Sequence, residues 1–309
     1  MQPRIAIEVM LLGMKENVLI IGAGEIGKAI GKTLRKEKAK IEFWDRNPLR
    51  ASKQKPLATT VPISKFIFLC VPSWAIRNVL TNIEPYLRKE TIVVCLAKGI
   101  EEKTQKTMDK VLRELIKNKC QYAFWGGPML AEELRQDLSG IGVIASKNEK
   151  VLEEIGKITN KTNLKIEYSK DVRGVALSGV LKNIYAIGLG VADGLKLGNN
   201  FKAWLLIKSV AEMNEIAKKM GAQGQTILGT AGLGDLIATG FSPYSRNREA
   251  GEDLVKTGKC CLDSEGVKSL PLLSAMLKKQ LKKFPVLHGL HSIIVENKRP
   301  QDIFKKLRA

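Results

Sequence analysis

The clearest candidate for acid–base chemistry in this sequence is Lys182, which stands among apolar residues in the segment 179–187. The apolar spacing around it predicts a helix over residues 171–194 that packs against the rest of the protein. Burial there, together with a second nearby cation, would lower the pKa of the Lys182 amine toward the range in which it can exchange a proton. The alternative is a helix lysine whose stem is buried and whose amine reaches water.

A second polar cluster begins at Ser242, where the sequence reads Ser-Pro-Tyr-Ser-Arg-Asn-Arg. This pattern predicts a turn that leads into a helix, with Ser245, Arg246 and Asn247 at its start. Such a helix N-terminus is well suited to hold a phosphate, although the same residues fit a capped and charged helix start. Asp235 comes shortly before, in a glycine-lined turn where an aspartate on its own is usually an N-cap.

A glycine-rich turn near the N-terminus has the pattern of a dinucleotide site. Gly22, Gly24 and Gly27 follow a predicted buried strand over residues 17–21 and precede a predicted helix over 28–36. The first glycine permits the tight turn, the second lets the backbone approach a pyrophosphate, and the third lets the helix pack close to the strand. The alternative is a glycine turn in a sheet whose nucleotide function is lost.

A carboxylate and a guanidinium follow the next predicted strand, over residues 40–44. Asp45 lies 18 residues after Gly27, close to where an acid that recognises a ribose usually falls. Asp45 would accept both ribose hydroxyls of NAD, whereas Arg46 would pair with the 2′-phosphate of NADP. The residues leave the choice open, with NAD weakly favoured because a carboxylate there would repel that phosphate.

The elements that must position these residues alternate between strands and helices as far as residue 169. Further strands are predicted at 66–71, 91–97, 121–125, 141–145 and 164–168, with helices at 74–80 and 104–117. The alternation predicts a mostly parallel sheet with helices on both faces. In such a sheet ligands lie beyond the carboxyl ends of the strands, which is where Ser73, Lys98 and Gly127 fall.

From about residue 170 the pattern becomes helical, without convincing strands. The predicted helices are 171–194, 201–220, 244–256, 270–282 and 301–307. We therefore predict an α/β fold in which a doubly wound Rossmann-type domain with a mostly parallel sheet, residues 14–169, is followed by an all-helical substrate and catalytic domain, residues 170–309.

The composition agrees with two globular domains. The chain has 309 residues, of which 44% are hydrophobic and 27% charged, enough to bury two cores. Its longest uncharged apolar stretches fall far short of the roughly 20 residues that span a membrane. A net charge of +20 attracts phosphorylated metabolites, polyanions and anionic membranes alike. Because the basic residues are scattered and lack interleaved aromatic residues, we predict a solvated basic surface and no specific nucleic-acid partner.

The cysteines, the histidines and the first residues bear on compartment, metal binding and targeting. The five cysteines form no C-x-x-C pair and are odd in number, which favours a reducing cytoplasm. His288 and His291 have no third ligand near them in the sequence, so we predict no metal site. Residues 1–13 include Glu8 and lack a small-residue cleavage signature, so we expect no signal peptide, and Met14 is an alternative start.

Taken together, these residues resemble the NAD(P)-dependent glycerol-3-phosphate dehydrogenases, particularly the bacterial type. The resemblance covers nearly the whole chain from Met14 and rests on the segments 22–27, 71–73, 97–101, 181–186, 192–194, 232–236 and 242–248. The lysine–asparagine helix and the serine–arginine–asparagine–arginine turn are far more specific than the glycine turn. The resemblance implies reversible reduction of dihydroxyacetone phosphate to sn-glycerol 3-phosphate with NAD or NADP, as a source of the phospholipid backbone.

The resemblance also implies roles for individual residues, a phosphorylated small-molecule substrate and a homodimer. The catalytic residues would be Lys182, which transfers the proton, with Lys98 and Asp235. The substrate site would comprise Lys98, Gly127, Lys182, Asp235, Thr239, Ser245, Arg246 and Asn247. The cofactor site would comprise Gly22, Gly24, Glu25, Ile26, Gly27, Asp45, Arg46, Lys98, Ala131, Arg246 and Glu265.

The chain departs from the family at three places. Glu25 and Ile26 stand where the bacterial enzymes usually carry a serine and an aromatic residue beside the pyrophosphate. Met129 replaces a serine, and the stretch 47–64 is shorter than usual. A glutamate at position 25 would repel the pyrophosphate.

Two other functions remain open at this point. One is a related two-domain NAD(P)-dependent reductase of another small hydroxy or keto acid, because the fold does not fix the substrate. The other is a non-catalytic nucleotide-binding relative, for which tight and specific retention on DNA would be the mark of a nucleic-acid role. A weaker hypothesis is peripheral contact of the basic surface with anionic membranes, where the product would be consumed.

Overall fold

The computed structural model of the chain describes residues 16–35, 39–116, 118–258 and 262–308. The expectations about residues 1–13 and about Met14 as a start lie outside these ranges. The described residues form a sheet domain, which contains every strand, and a helical domain that follows it.

The sheet has seven strands in the order β2-β1-β3-β4-β5-β6-β7. They are β1 (Asn17–Ile21), β2 (Lys40–Trp44), β3 (Phe66–Leu69), β4 (Ile92–Cys95), β5 (Gln121–Gly126), β6 (Gly140–Ala145) and β7 (Leu164–Ser169). Every neighbouring pair is parallel except β5 and β6. The mostly parallel sheet that the sequence predicts is therefore confirmed, although β3 and β4 are shorter than predicted and end at Leu69 and Cys95.

Helices cover both faces of this sheet. They are α1 (Glu25–Arg35), α2 (Leu57–Thr60), α3 (Ile76–Ile83), α4 (Met108–Ile116), α5 (Ala131–Arg135) and α6 (Glu149–Thr159). Successive residues of a strand point to opposite faces, so Ile20 of β1 packs in one core with Ile30 of α1. Its neighbour Leu19 packs in the opposite core with Leu80 of α3. Both faces are therefore buried, as a doubly wound parallel sheet requires.

The helical domain is built around one central helix. Its helices are α7 (Val172–Gly194), α8 (Gly198–Lys219), α9 (Gly224–Leu228), α10 (Asp235–Phe241), α11 (Arg246–Thr257), α12 (Glu265–Leu277), α13 (Pro285–Ile294) and α14 (Pro300–Arg308). Of the 23 residues of α7, 20 are buried. By length and composition α7 could cross a membrane, but its most apolar window lies wholly inside the protein. It is the core helix around which the other helices pack.

The start of α7 is fixed by Asp171, directly after the sheet ends. One carboxylate oxygen of Asp171 accepts a hydrogen bond from the N–H of Gly174 at 2.8 Å, which caps the helix. The other accepts from the N–H of Gln223 at 2.9 Å and from the Thr226 hydroxyl at 2.8 Å. The predicted boundary near Ser169 falls between β7 and this anchored helix start.

The helices differ from the predicted ones in both domains. Helix α12 begins at Glu265 rather than at residue 270 and ends at Leu277, where a 3-10 turn over Lys278–Lys283 follows. Helices α9, α10 and α13 are not predicted by the apolar spacing, and neither are α2, α5 and α6 of the sheet domain. His288 and His291 lie on α13. Within the described ranges no group of three His, Cys, Asp or Glu side chains could hold a metal ion.

Candidate active site

The glycine turn between β1 and α1 leaves room for a phosphate group. Gly22 has φ +103°, and a Cβ added there would lie 2.5 Å from the Cys70 carbonyl oxygen. A Cβ at Gly27 would lie 1.9 Å from the carbonyl oxygen of Gly22, so only glycine lets α1 approach the turn. A Cβ at Gly24 would meet no atom within 4 Å, so this glycine faces open space. With the N-terminal N–H groups of α1 beside it, the turn fits the pyrophosphate of a dinucleotide.

Asp45 lies next to the glycine turn at the carboxyl end of β2. Its carboxylate accepts hydrogen bonds from the N–H groups of Ala23 and Asn47, each at 2.8 Å. The side chain is thus held against the turn, whereas Arg46 is exposed. The structure therefore sets the Asp45 carboxylate at the position where a ribose-recognising acid is expected.

Four side chains from both domains meet in a polar cluster beyond the carboxyl ends of the strands, where three are buried and Lys98 is partly buried. The Asp235 carboxylate lies 2.6 Å from Nζ of Lys98 and 3.1 Å from Nζ of Lys182. Lys182 also donates a hydrogen bond of 2.7 Å to the Thr239 hydroxyl, which in turn donates to Asp235 at 3.3 Å. Lys98 reaches the carbonyl oxygen of Gly127 at 3.4 Å. The predicted residues Lys98, Lys182, Asp235, Thr239 and Gly127 are therefore brought together.

Local structure explains how these residues meet. Lys98 follows β4, and Lys182 lies in the middle of α7. Gly179 makes room for their approach, because a Cβ there would lie 2.8 Å from Cγ of Lys98. Asp235 is the first residue of α10 and follows a π-helical turn over Thr230–Gly234. Its carboxylate therefore bridges two lysines and does not serve as the N-cap that its sequence context alone favours.

The charges in this cluster change the proton affinity of Lys182. Only 7% of Lys182 is exposed, so its amine does not reach bulk water. Burial lowers the pKa of Lys182 to about 8, the charge of Lys98 lowers it as well, and Asp235 opposes both. Burial alone would raise the pKa of Asp235, but the two lysines lower it below its usual value. The result is an ionised carboxylate beside an amine that can release its proton near neutral pH.

The predicted phosphate turn leads into α11. The Ser245 hydroxyl caps this helix by accepting a hydrogen bond from the N–H of Arg248 at 3.2 Å, and Arg246 is exposed at the first helical position. The Asn247 amide is buried, where it donates to Asn183 Oδ1 at 3.0 Å and accepts from the N–H of Gly266 at 2.9 Å. Asn247 thus ties α11 to α7 and α12, next to Lys182.

A second contact between the domains involves Glu265 at the start of α12. Its carboxylate accepts hydrogen bonds from the N–H and the hydroxyl of Ser73, at 2.7 and 2.6 Å. Burial raises the pKa of Glu265. The sequence places Ser73 beyond the end of a strand, with Lys98 and Gly127, but assigns it no role at the site. Asn183 is not among the predicted site residues either; it follows Lys182 on α7, which is the signal that could have found it, and it reaches the carbonyl oxygen of Lys98 at 3.5 Å.

The remaining predicted cofactor residues also follow the carboxyl ends of strands. Glu25 and Ile26 open α1, with Glu25 exposed and Ile26 partly buried. Ala131 is the first residue of α5 and is buried. The glycine turn, Asp45 and the buried lysine of the helical domain together define the class: a two-domain NAD(P)-dependent dehydrogenase.

Comparison with known proteins narrows this class. Residues 48–152 match the family model of the NAD-dependent glycerol-3-phosphate dehydrogenase N-terminus, and residues 171–305 match that of the C-terminus. The chain belongs to the NAD-dependent glycerol-3-phosphate dehydrogenase family, as the sequence resemblance predicts.

Individual relatives agree with this membership. Glycerol-3-phosphate dehydrogenase [NAD(P)+] of Clostridium acetobutylicum is 32% identical over 323 residues, which covers 94% of this chain and 96% of the relative. The enzyme of the same name from Pseudomonas entomophila is 31% identical over 325 residues, covering 95% and 94%. The crystal structure of glycerol-3-phosphate dehydrogenase from Coxiella burnetii aligns with a TM-score of 0.87 and 26% identity, covering 95% of this chain and 98% of that one.

Proposed function

We propose that this protein catalyses the reversible reduction of dihydroxyacetone phosphate to sn-glycerol 3-phosphate with a nicotinamide dinucleotide. The observation that carries the proposal is the Lys98–Asp235–Lys182 cluster, which the helical domain completes beyond the strand ends of a dinucleotide-binding sheet. Reduction of a carbonyl needs a proton donor at its oxygen and groups that fix the substrate. The cluster supplies the proton donor, and the start of α11 supplies the groups that fix the substrate.

Lys182 is the proton donor in this proposal. When bound, the nicotinamide supplies or accepts the hydride. Lys182 gives a proton to the carbonyl oxygen in reduction and takes it back in oxidation, which a pKa of about 8 permits near neutral pH. Asp235 holds the ammonium groups of Lys182 and Lys98 in place, and Thr239 orients Lys182 through its hydroxyl. Lys98 contacts the substrate and cofactor from the sheet side.

The start of α11 binds the substrate phosphate. Arg246 offers a guanidinium at the N-terminus of the helix, where the dipole also favours an anion. Ser245 adds its hydroxyl, and Asn247 fixes the turn against α7 so that the phosphate and Lys182 keep a constant separation. Gly127 completes the substrate site from the sheet side. This arrangement selects a phosphorylated substrate.

The glycine turn and its neighbours bind the cofactor. Gly22, Gly24 and Gly27 form the cradle, with Glu25 and Ile26 at the start of α1 and Ala131, Arg246 and Glu265 along the edge of the cleft. The protein takes NAD or NADP, and the Asp45 carboxylate beside the turn favours NAD, because it would accept ribose hydroxyls and repel a 2′-phosphate.

A pair of matched lysine variants tests the proton donor. Lys182→Met should lower dihydroxyacetone phosphate-dependent oxidation of NADH by about 100- to 10,000-fold while leaving NADH affinity unchanged. Lys202→Met is the control, because Lys202 is equally buried and pairs with an aspartate, Asp193, at 2.7 Å. Near-normal turnover by the Lys182 variant, or equal losses in both variants, would contradict the assignment.

The cellular setting is part of the same proposal. The product would supply the backbone of phospholipids, and the free thiols of Cys70, Cys95 and Cys120, all buried, suit a reducing cytoplasm. A homodimer is supported by the family resemblance only. Contact with membranes is supported by the net charge of +20. Co-sedimentation tests it, with binding to anionic but not neutral vesicles expected and equal binding to both as the contrary result.

A further inference from the structure

Glu25 and Arg135 form an ion pair beside the glycine turn. Glu25 is the first residue of α1, directly after Gly24, and Arg135 is the last residue of α5, whose first residue is Ala131. The pair therefore joins the two helices that border the place where a dinucleotide carries its two negatively charged phosphates. A glutamate without a partner at this point would weaken cofactor binding by repulsion.

The ion pair is not needed to hold the two helices together. The side chains of Arg135 and Glu25 are 40% and 67% exposed, and pairs of such exposure contribute little to stability. Helix α5 is attached to α1 elsewhere: Lys32 donates a hydrogen bond of 2.7 Å to the carbonyl oxygen of Arg135 and pairs with Asp137 at 3.2 Å. The buried Leu134 packs in the same core as α1. The Arg135 side chain is therefore not needed for helix packing and can contact a group bound at the adjacent glycine turn.

We infer that Arg135 is a cofactor-binding residue, which offsets the charge of Glu25 and presents a guanidinium to the pyrophosphate. A guanidinium has five N–H groups, so it can stay beside Glu25 and still donate to a phosphate oxygen. Glu132, whose carboxylate lies 3.7 Å from the second terminal nitrogen of Arg135, keeps the group near the turn. The inference rests on the proposed use of a nicotinamide dinucleotide and adds a residue to that site.

Titration of NADH without substrate, followed by its fluorescence, tests this inference. Arg135→Ala exposes Glu25 to the phosphates and should raise the Kd for NADH about tenfold. Glu25→Ser should lower the Kd, and the double variant Glu25→Ser/Arg135→Ala should return close to the wild-type value. The rise in Kd caused by Arg135→Ala should also become smaller as salt is added, because the charges are exposed.

Lys32→Ala is the matched control, since it removes the other bridge between α1 and α5 but leaves Glu25 and Arg135 intact. It should leave the Kd within about twofold of wild type. An Arg135→Ala variant within about twofold of wild type would overturn the inference. So would a double variant as weak as Arg135→Ala, or wild-type protein that binds no NADH.

Turnover of dihydroxyacetone phosphate is measured separately on the same preparations. If the five proteins (wild type and four variants) bind NADH in the expected order but none reduces dihydroxyacetone phosphate, the proposed reaction is wrong and the role of Arg135 stands. If they reduce the substrate but the order of Kd values is absent, the role of Arg135 is wrong and the reaction stands.

Discussion

Replacing Asp235 by asparagine should move the pH dependence of the reaction. Lys182 has a pKa of about 8, and reduction needs its protonated form. Reduction by the wild type should therefore decline as pH rises through about 8, and oxidation of glycerol 3-phosphate should increase over the same range. Asp235→Asn removes the carboxylate 3.1 Å from the Lys182 amine and keeps the size of the side chain.

The size of the effect follows from the geometry. Two charges about 3–4 Å apart attract each other by about 4 kcal/mol at an effective dielectric constant of about 20. This corresponds to a roughly 1000-fold lower proton affinity of Lys182 in the variant, which leaves about one molecule in a hundred protonated at neutral pH. Reduction at neutral pH should then fall about a hundredfold and recover as pH is lowered toward about 5.

The assay is the initial rate of NADH oxidation with saturating dihydroxyacetone phosphate across this pH range. Asp235→Glu keeps the charge and should keep the decline near its wild-type position, while NADH titration and thermal unfolding show that each variant is folded. An asparagine variant whose rate declines at the wild-type pH would refute the reasoning. A loss of equal size at every pH would also refute it, because it would assign Asp235 a purely structural role.

Four further variants probe phosphate binding, cofactor choice and the glycine turn. With NADH kept saturating, Arg246→Ala should raise the KM for dihydroxyacetone phosphate by about tenfold to a hundredfold and change the slow reduction of unphosphorylated dihydroxyacetone much less; an equal effect on both substrates would contradict the phosphate site. Asp45→Ser should raise the ratio of kcat/KM for NADPH to that for NADH by about tenfold or more; an unchanged ratio would remove Asp45 from cofactor selection. Gly24→Ala should weaken NADH binding without lowering Tm, because its methyl group enters open space. Gly27→Ala, whose methyl group would collide with the Gly22 carbonyl, should also lose about 1–3 kcal/mol of stability. Equal Tm values for the Gly24 and Gly27 variants would contradict these separate roles of the two glycines.

The parts of the fold that the sequence predicts are those that local spacing determines. In the sheet domain, the spacing of apolar residues predicts every strand and the helices α1, α3 and α4, and the three glycines of the turn have the spacing typical of a dinucleotide-binding sheet. Helix α13 is different, because its start is capped by a distant residue. The N–H groups of Val286 and Leu287 donate to the two carboxylate oxygens of Glu212, at 2.8 and 3.0 Å. Near this start the sequence offers only Pro285, which suits the first turn of a helix, and no side chain that could cap it.

In the candidate site too, the sequence indicates single residues but not the contacts between distant parts of the chain. Lys182, Lys98 and Asp235 could each be singled out by their surroundings and by family resemblance, but the contact among them joins β4, α7 and α10. The sequence around Asp235 is that of an N-cap. Its role as the shared counter-charge of two lysines depends on the tertiary fold, which brings them to it. Arg135 was missed for the same reason, because its partner Glu25 lies on another helix, more than 100 residues earlier.

The most direct test of the proposed reaction is to follow NADH oxidation by the purified protein with dihydroxyacetone phosphate and, in parallel, with unphosphorylated dihydroxyacetone. We expect rapid oxidation that depends on the phosphate, and formation of sn-glycerol 3-phosphate in equal amount. Folded protein that binds NADH but oxidises none of it with dihydroxyacetone phosphate, or that reduces the unphosphorylated ketone equally well, would contradict the proposal.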